Sequence, residues 1–86
     1  MSDRTTIIRN VLAKHGKLNG SAESIAEDKS LYSAGLTSHA SVNVMLALED
    51  EFDVEFPERM LTRATFETVA NLRQALDTLL PVESPA

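Results

Sequence analysis

The sequence predicts a small all-α bundle of three principal helices and one short element. Three observations carry this expectation. The chain has 86 residues and no cysteine, so its stability must come from packing, without disulfides or thiolate metal sites. Apolar residues recur at three- and four-residue spacings in three separate segments. Neither strict alternation nor turn-bounded runs of branched residues occur, so no hairpin or sheet is expected. A chain of this length holds one domain with one core, expected to be compact from about residue 3 to residue 80 and to end in a frayed tail at 81–86. With 43% apolar and 24% charged residues it reads as globular and not disordered.

The first helix is expected from about Asp3 to His15, with Ile8, Val11, Leu12 and His15 at helical spacing and Ile7 widening the stripe. Asp3 is its candidate N-cap, and Gly16 permits termination through a left-handed backbone. Residues 17–37 form a long connection anchored by Leu18, Ile25, Leu31, Tyr32 and Leu36, with room for a helical turn around Ala22–Glu27. The second helix, Ser38–Phe52, contains no Gly or Pro and has Thr37 or Ser38 available as N-cap. Val42, Met45, Leu46 and Glu49 trace one stripe of it, and Val44 and Leu48 extend a second. Pro57 opens a short element around Glu58–Arg63. The last helix runs from about Thr65, its expected N-cap, to Leu80, and Pro81 stops it. Phe66, Val69, Leu72, Leu76 and Leu79 form its apolar face.

Charge narrows the function classes. The net charge is −5, and residues 38–86 carry nine acids against three bases. Six acids and no base fall between Glu49 and Glu58. Such a surface repels phosphate backbones, so neither nucleic acid nor an anionic membrane is an expected partner. It suits either a basic protein partner or plain solvation. No apolar run approaches the length needed to cross a bilayer and no signal-like stretch opens the chain, so a cytoplasmic address is expected.

The chemical inventory is thin. His15 and His39 lie far apart and no metal site is expected. The carboxylates between Glu49 and Glu58 have no enclosing groove in sequence and no EF-hand spacing. A triad of Ser38, His39 and Asp50 fails because adjacent helical residues point about 100° apart. What remains is the serine of Gly35-Leu36-Thr37-Ser38-His39, at a loop-to-helix junction. Free N–H groups and the helix dipole at such a position favour an added phosphate. Two readings of Ser38 stand on geometry: helix capping, and phosphoryl attachment by another enzyme.

The run Asp28-Lys29-Ser30-Leu31-Tyr32-Ser33-Ala34-Gly35-Leu36-Thr37-Ser38, followed by Ala47-Leu48-Glu49-Asp50-Glu51-Phe52 and Val54-Glu55-Phe56-Pro57, resembles the acyl carrier protein family. The resemblance covers about residues 5–80. It implies an acyl-carrier-protein-like four-helix bundle, with three principal helices and one short helix, forming a single carrier domain over 1–86. It further implies that Ser38 receives 4'-phosphopantetheine through a phosphodiester, the arm's thiol holding an acyl or aminoacyl group as a thioester. Such a carrier is non-catalytic. It is the substrate of a phosphopantetheinyl transferase and of a loading enzyme, and it hands its cargo to a downstream acceptor.

Two positions depart from the family pattern. Thr37 stands where an aspartate usually precedes the modified serine, which removes a carboxylate that helps the transferase organise its metal. His39 stands where a leucine commonly follows, which removes an apolar partner contact. The passage from Ala34 to Val44 resembles the stand-alone aminoacyl carrier proteins, which are charged by class II seryl-tRNA-synthetase-like amino acid:[carrier protein] ligases, often with glycine. The resemblance therefore favours an aminoacyl carrier. An acyl or peptidyl carrier for fatty-acid, polyketide or nonribosomal peptide synthesis is the alternative, and an unmodified helical adaptor the second. The expected partner surface comprises Thr37, His39, Val42, Val44, Met45, Leu48, Glu49, Asp50, Asp53, Glu55 and Arg59. Within it Met45, like Leu46, leans toward burial, and Val44 and Leu48 are open between core and surface. Tyr32 is expected as a loop anchor, and Phe52, Phe56 and Phe66 as core.

Overall fold

A computed structural model describes residues 4–18 and 22–80. The expected Asp3 cap and the tail at 81–86 lie outside the described residues. Helix α1 spans Arg4–Val11 and tightens no further: it continues as a wider π-helical turn over Leu12–Gly16. Helix α2 spans Ser38–Phe52, a single 3-10 turn covers Glu58–Met60, and helix α3 spans Val69–Leu79. No strand occurs among the described residues. The three-plus-one architecture of the sequence analysis is therefore the one observed.

Helix α1 lies against both α3 and α2, and the π-helical turn packs on α2. Ile8 and Leu12 from the first segment, Val44 and Leu48 from α2, and Val69, Leu72 and Leu76 from α3 are each fully buried. Each such side chain stabilises the fold by about 1.5–3 kcal/mol through removal from water. Phe56 and Phe66 close one end of this core with ring centroids 5.8 Å apart and planes tilted by 35°. An ion pair and a hydrogen bond fix α1 on α3: Arg4 Nη1 meets Asp77 Oδ1 at 2.6 Å, and Arg73 Nη1 donates to Thr5 Oγ1 at 3.2 Å.

The long connection is tied down at defined points. Arg9 Nη1 donates to the carbonyls of Ala22 (3.0 Å) and Ile25 (2.5 Å), so one α1 side chain gathers a whole turn. The Leu31 N–H donates to the Glu67 carbonyl at 2.6 Å, and the Ala70 N–H to the Glu27 carbonyl at 3.0 Å. Leu31 and Leu36 are buried, as their expected anchoring role requires. Residues 22–25 form turns without a helix.

Two end signals differ from expectation. The left-handed residue after the first segment is Lys17 (φ 52°), one place beyond Gly16. Gly16 is instead buried, where an added Cβ would sit 3.5–3.7 Å from side-chain atoms of Leu12, Leu18 and Leu36. The last helix starts four residues later than Thr65. Thr68 caps it, its Oγ1 accepting from the Asn71 N–H at 3.0 Å. Thr65 belongs to a run of tight turns, with Thr65, Phe66 and Glu67 N–H groups donating three residues back. The Leu31–Glu67 bond ties the last of these turns, Thr68 then takes an extended backbone (φ −137°, ψ 160°), and regular helix begins only after it.

Candidate functional site

The start of α2 combines a cap, an exposed hydroxyl and a groove. Thr37 has extended backbone (φ −93°, ψ 164°), and its Oγ1 accepts from the Ala40 N–H at 3.0 Å. Its carbonyl takes the Ser41 N–H at 2.9 Å. The capping task at this terminus is thus discharged by Thr37. Ser38 is exposed, and no hydrogen bond to its hydroxyl occurs among the described residues. Of the two readings left by geometry, the structure therefore gives capping to the neighbour. The next hydroxyl, Ser41 Oγ, is engaged with the Ser38 carbonyl at 2.7 Å.

Gly35 makes the approach to this terminus possible. Its φ of 111° lies where a side chain is strained, and it follows a tight turn in which its N–H donates to the Tyr32 carbonyl at 3.1 Å. The Leu36 N–H then returns to the Leu31 carbonyl at 2.9 Å, and the Leu36 side chain enters the core. Loop and helix are thereby joined with Ser38 pointing away from the packed interior.

Beside Ser38 opens a groove of about 390 Å³ between α2 and the segment preceding α3. Ser38 and Ser41 lie on its polar side. Val42, Met45, Leu61 and Phe66 give it apolar walls, and Tyr32, Thr62 and Arg63 complete it. Tyr32 is held here, its hydroxyl donating to the Arg63 carbonyl at 3.3 Å. Burial pushes the Tyr32 phenol above its ordinary pKa, the Arg63 charge opposes that shift, and Glu67 adds to it.

The expected partner residues divide into two groups. Val42 is exposed (50%), and Thr37, His39, Asp50, Asp53, Glu55 and Arg59 are also exposed around α2 and its C-terminal turn. Met45 is half-buried and lines the groove. Val44 and Leu48, both 0% exposed, are corrections: they form the buried face of α2 together with Ala40 and offer nothing to a partner. The physical reason is their i, i+4 register with Ala40, which points all three at α1 and the π-helical turn. Leu46 is the opposite correction, exposed (52%) one turn beyond Val42 where burial was expected.

Glu49 is also committed internally. It is half-buried, and its Oε2 accepts from the Phe56 N–H at 2.8 Å, closing the turn that follows α2. Its carbonyl takes the Val54 N–H at 3.1 Å, while Asp53 makes the left-handed turn (φ 53°). Glu49→Ala is therefore expected to cost about 1–2 kcal/mol. Glu49→Gln, which keeps an acceptor, is expected to cost clearly less, both read from urea unfolding. Equal losses would contradict the assigned hydrogen bond.

Comparison with known proteins identifies the family. The model of the phosphopantetheine attachment site family matches residues 7–81. The aminoacyl carrier protein of Agrobacterium fabrum is 41% identical over 73 residues, covering 85% of this chain and 88% of that protein. This chain belongs to the aminoacyl carrier protein family. The structural likeness agrees. A chain of the crystal structure of engineered Bradyrhizobium japonicum glycine:[carrier protein] ligase, complexed with carrier protein from Agrobacterium tumefaciens and ATP, superimposes with a TM-score of 0.84 at 39% identity. The match covers 87% of this chain and 97% of that one. A second, from the Bradyrhizobium japonicum ligase complexed with glycylated carrier protein, gives a TM-score of 0.72 at 33% identity, over 84% and 96%.

The prosthetic group of this carrier is accordingly covalent 4'-phosphopantetheine, which supplies a terminal thiol able to hold an acyl or aminoacyl group as a thioester. The residues present fit such a group. A hydroxyl not engaged in capping stands at the mouth of a groove with apolar walls and one cationic side chain, Arg63. Membership replaces the unmodified adaptor considered from sequence. Among the described residues no helix is long and apolar enough to cross a membrane.

Proposed function

We propose that Ser38 is the attachment residue and that the carrier holds a small amino acid, glycine by preference, on its arm. The exposed, uncommitted Ser38 hydroxyl beside a capping Thr37 carries this reading. In attachment, Ser38 Oγ bonds to the phosphorus of coenzyme A that bears the pantetheine. The pyrophosphate bond of coenzyme A breaks, adenosine bisphosphate leaves, and the hydroxyl proton passes to the phosphopantetheinyl transferase. Thr37 keeps the helix terminus in place throughout but brings no carboxylate, so the transferase must complete its own metal shell.

Loading is then the work of an ATP-dependent, seryl-tRNA-synthetase-like amino acid:[carrier protein] ligase, and the carrier contributes position. Tethering raises the concentration of the thiol near each active site. Exposed Val42 and Leu46 form a short apolar ridge on α2, two residues that a partner can cover. Asp50, Asp53 and Glu55 lie at the far end of the same helix and its turn, and they attract basic residues over a distance that shrinks with salt. His39 and Arg59 are exposed near the two ends of this surface. Coenzyme A and ATP as co-substrates favour the cytoplasm as the place of work, and the loaded group passes from there to a downstream acceptor.

The glycine-carrying relatives support the choice of cargo. The test is to incubate the phosphopantetheinylated carrier with ATP, a glycine:[carrier protein] ligase and each amino acid in turn, and to read intact mass. Glycine is expected to load fastest. Preferential loading of an acyl group by an acyl-activating enzyme, with no amino acid accepted, would overturn this reading in favour of an acyl carrier.

A further inference from the structure

The groove beside Ser38 contains a pair that attachment does not use. The Arg63 guanidinium carbon lies 3.9 Å from the centroid of the Tyr32 ring, while the Tyr32 hydroxyl donates back to the Arg63 carbonyl at 3.3 Å. Each residue thus holds the other, one through its ring face and the other through its backbone. Both line the groove that Ser38 opens into, and among the described residues no other basic side chain lines it. Arg63 makes no ion pair among the described residues. The carboxylate that acts on the same pair is Glu67, on the Tyr32 side.

We propose that Arg63, held over the Tyr32 ring, is a positioning residue that draws the arm's phosphodiester to the groove and keeps the ammonium of a loaded amino acid out of it. This rests on the reading that Ser38 carries the arm. A phosphodiester bears one negative charge, and a guanidinium offers it paired N–H donors. Stacking on the ring fixes the guanidinium beforehand, so little further ordering is needed when the anion arrives. The remaining walls, Val42, Met45, Leu61 and Phe66, have no charge to compete with it. The other end of the arm meets the opposite sign. An aminoacyl thioester ends in an ammonium, which the same guanidinium repels and the apolar walls cannot solvate. An uncharged acyl group meets no such repulsion. The root of the arm is held at the groove while a charged cargo is presented outward.

The test uses isotope-labelled carrier and a phosphopantetheinyl transferase supplied with coenzyme A, acetyl-coenzyme A or glycyl-coenzyme A. These arms differ only at the tip, and acetyl and glycyl differ by the ammonium. Intact mass reports attachment. NMR reports the Arg63 Nε–Hε resonance and the modified-minus-apo shift differences at Val42, Met45 and Leu61. In the native carrier the Arg63 resonance is expected to move on attachment, and the groove differences are expected to be smaller for the glycyl than for the acetyl form. Arg63→Gln is expected to lower the ratio of groove-bound to free arm roughly two- to fivefold and to narrow the difference between glycyl and acetyl forms to what the apolar walls alone impose. Arg63→Lys, which keeps the charge, is expected to restore most of the difference. A purely structural role of the stack would affect apo and modified forms equally and cancel in these differences. A mass gain with an unmoved Arg63 resonance, or with groove shifts that ignore either the Arg63→Gln change or the ammonium, overturns this inference alone. No mass gain overturns the attachment reading and this inference with it.

Discussion

With the arm on Ser38 as proposed, Ser38→Ala is expected to abolish phosphopantetheine attachment and to leave the fold intact. The substitution removes the oxygen proposed to form the phosphodiester, so no residual modification is expected. Stability should change by no more than about 0.5 kcal/mol, because Ser38 is exposed and the N-cap bond belongs to Thr37 Oγ1. The neighbouring Ser41 does not substitute for it, since its hydroxyl is engaged with the Ser38 carbonyl at 2.7 Å. Intact mass after treatment with coenzyme A and a transferase reads the first effect, and a thermal melt reads the second. A variant that unfolds easily would mean that Ser38 caps α2 after all.

Leu48→Ala produces the largest expected stability loss. Leu48 is fully buried on α2, and truncating a core leucine costs about 2–5 kcal/mol through lost burial and the cavity left behind. In a domain of this size each kilocalorie lowers Tm by about 4–8 °C, so a fall of some 10 °C or more is expected. Leu46→Ala, two residues away on the exposed face, should alter Tm little while weakening productive encounter with the ligase, read as a higher KM for the carrier. Similar Tm losses for the two variants would contradict the assigned helix face. The pair separates core from surface on a helix where the sequence alone left both open.

That ambiguity has a physical origin. Helix α2 carries apolar residues at 40, 42, 44, 45, 46, 47 and 48, so almost every face of its central turns is apolar and periodicity points nowhere in particular. Only the contact with α1 and the π-helical turn selects Ala40, Val44 and Leu48 for burial. The bounds of the same helix were legible because they depend on local chemistry. Thr37 has the hydroxyl that caps, the span from Ser38 to Phe52 has no breaker, and both signals are read without knowing the tertiary structure. Helix α3 shows the reverse case. Its face of Val69, Leu72 and Leu76 was evident from spacing, but the cap expected at Thr65 is made by Thr68. The residues before Thr68 are held in turns, and the Leu31–Glu67 bond ties the last of them across the fold.

The site was legible in the same uneven way. Ser38 stood out through its junction and its resemblance, whereas the groove beside it joins residues 32, 38–45 and 61–66, which no local pattern connects. Arg63 has no partner legible in the sequence, and its place over the Tyr32 ring comes only from the tertiary fold. Glu49 looked like part of an acidic recognition run, and its bond to the Phe56 N–H is invisible to charge counting. The acids that stay exposed, Asp50, Asp53 and Glu55, still account for an acidic surface beside the attachment helix.

The central claim is that one particular hydroxyl carries the arm. Peptide mapping by tandem mass spectrometry of the carrier after treatment with coenzyme A and a phosphopantetheinyl transferase tests it most directly. A single phosphopantetheine per chain, located on Ser38, is expected. Its location on Ser41, Ser33 or Thr37, or the absence of any modification where a control carrier is modified, would contradict it.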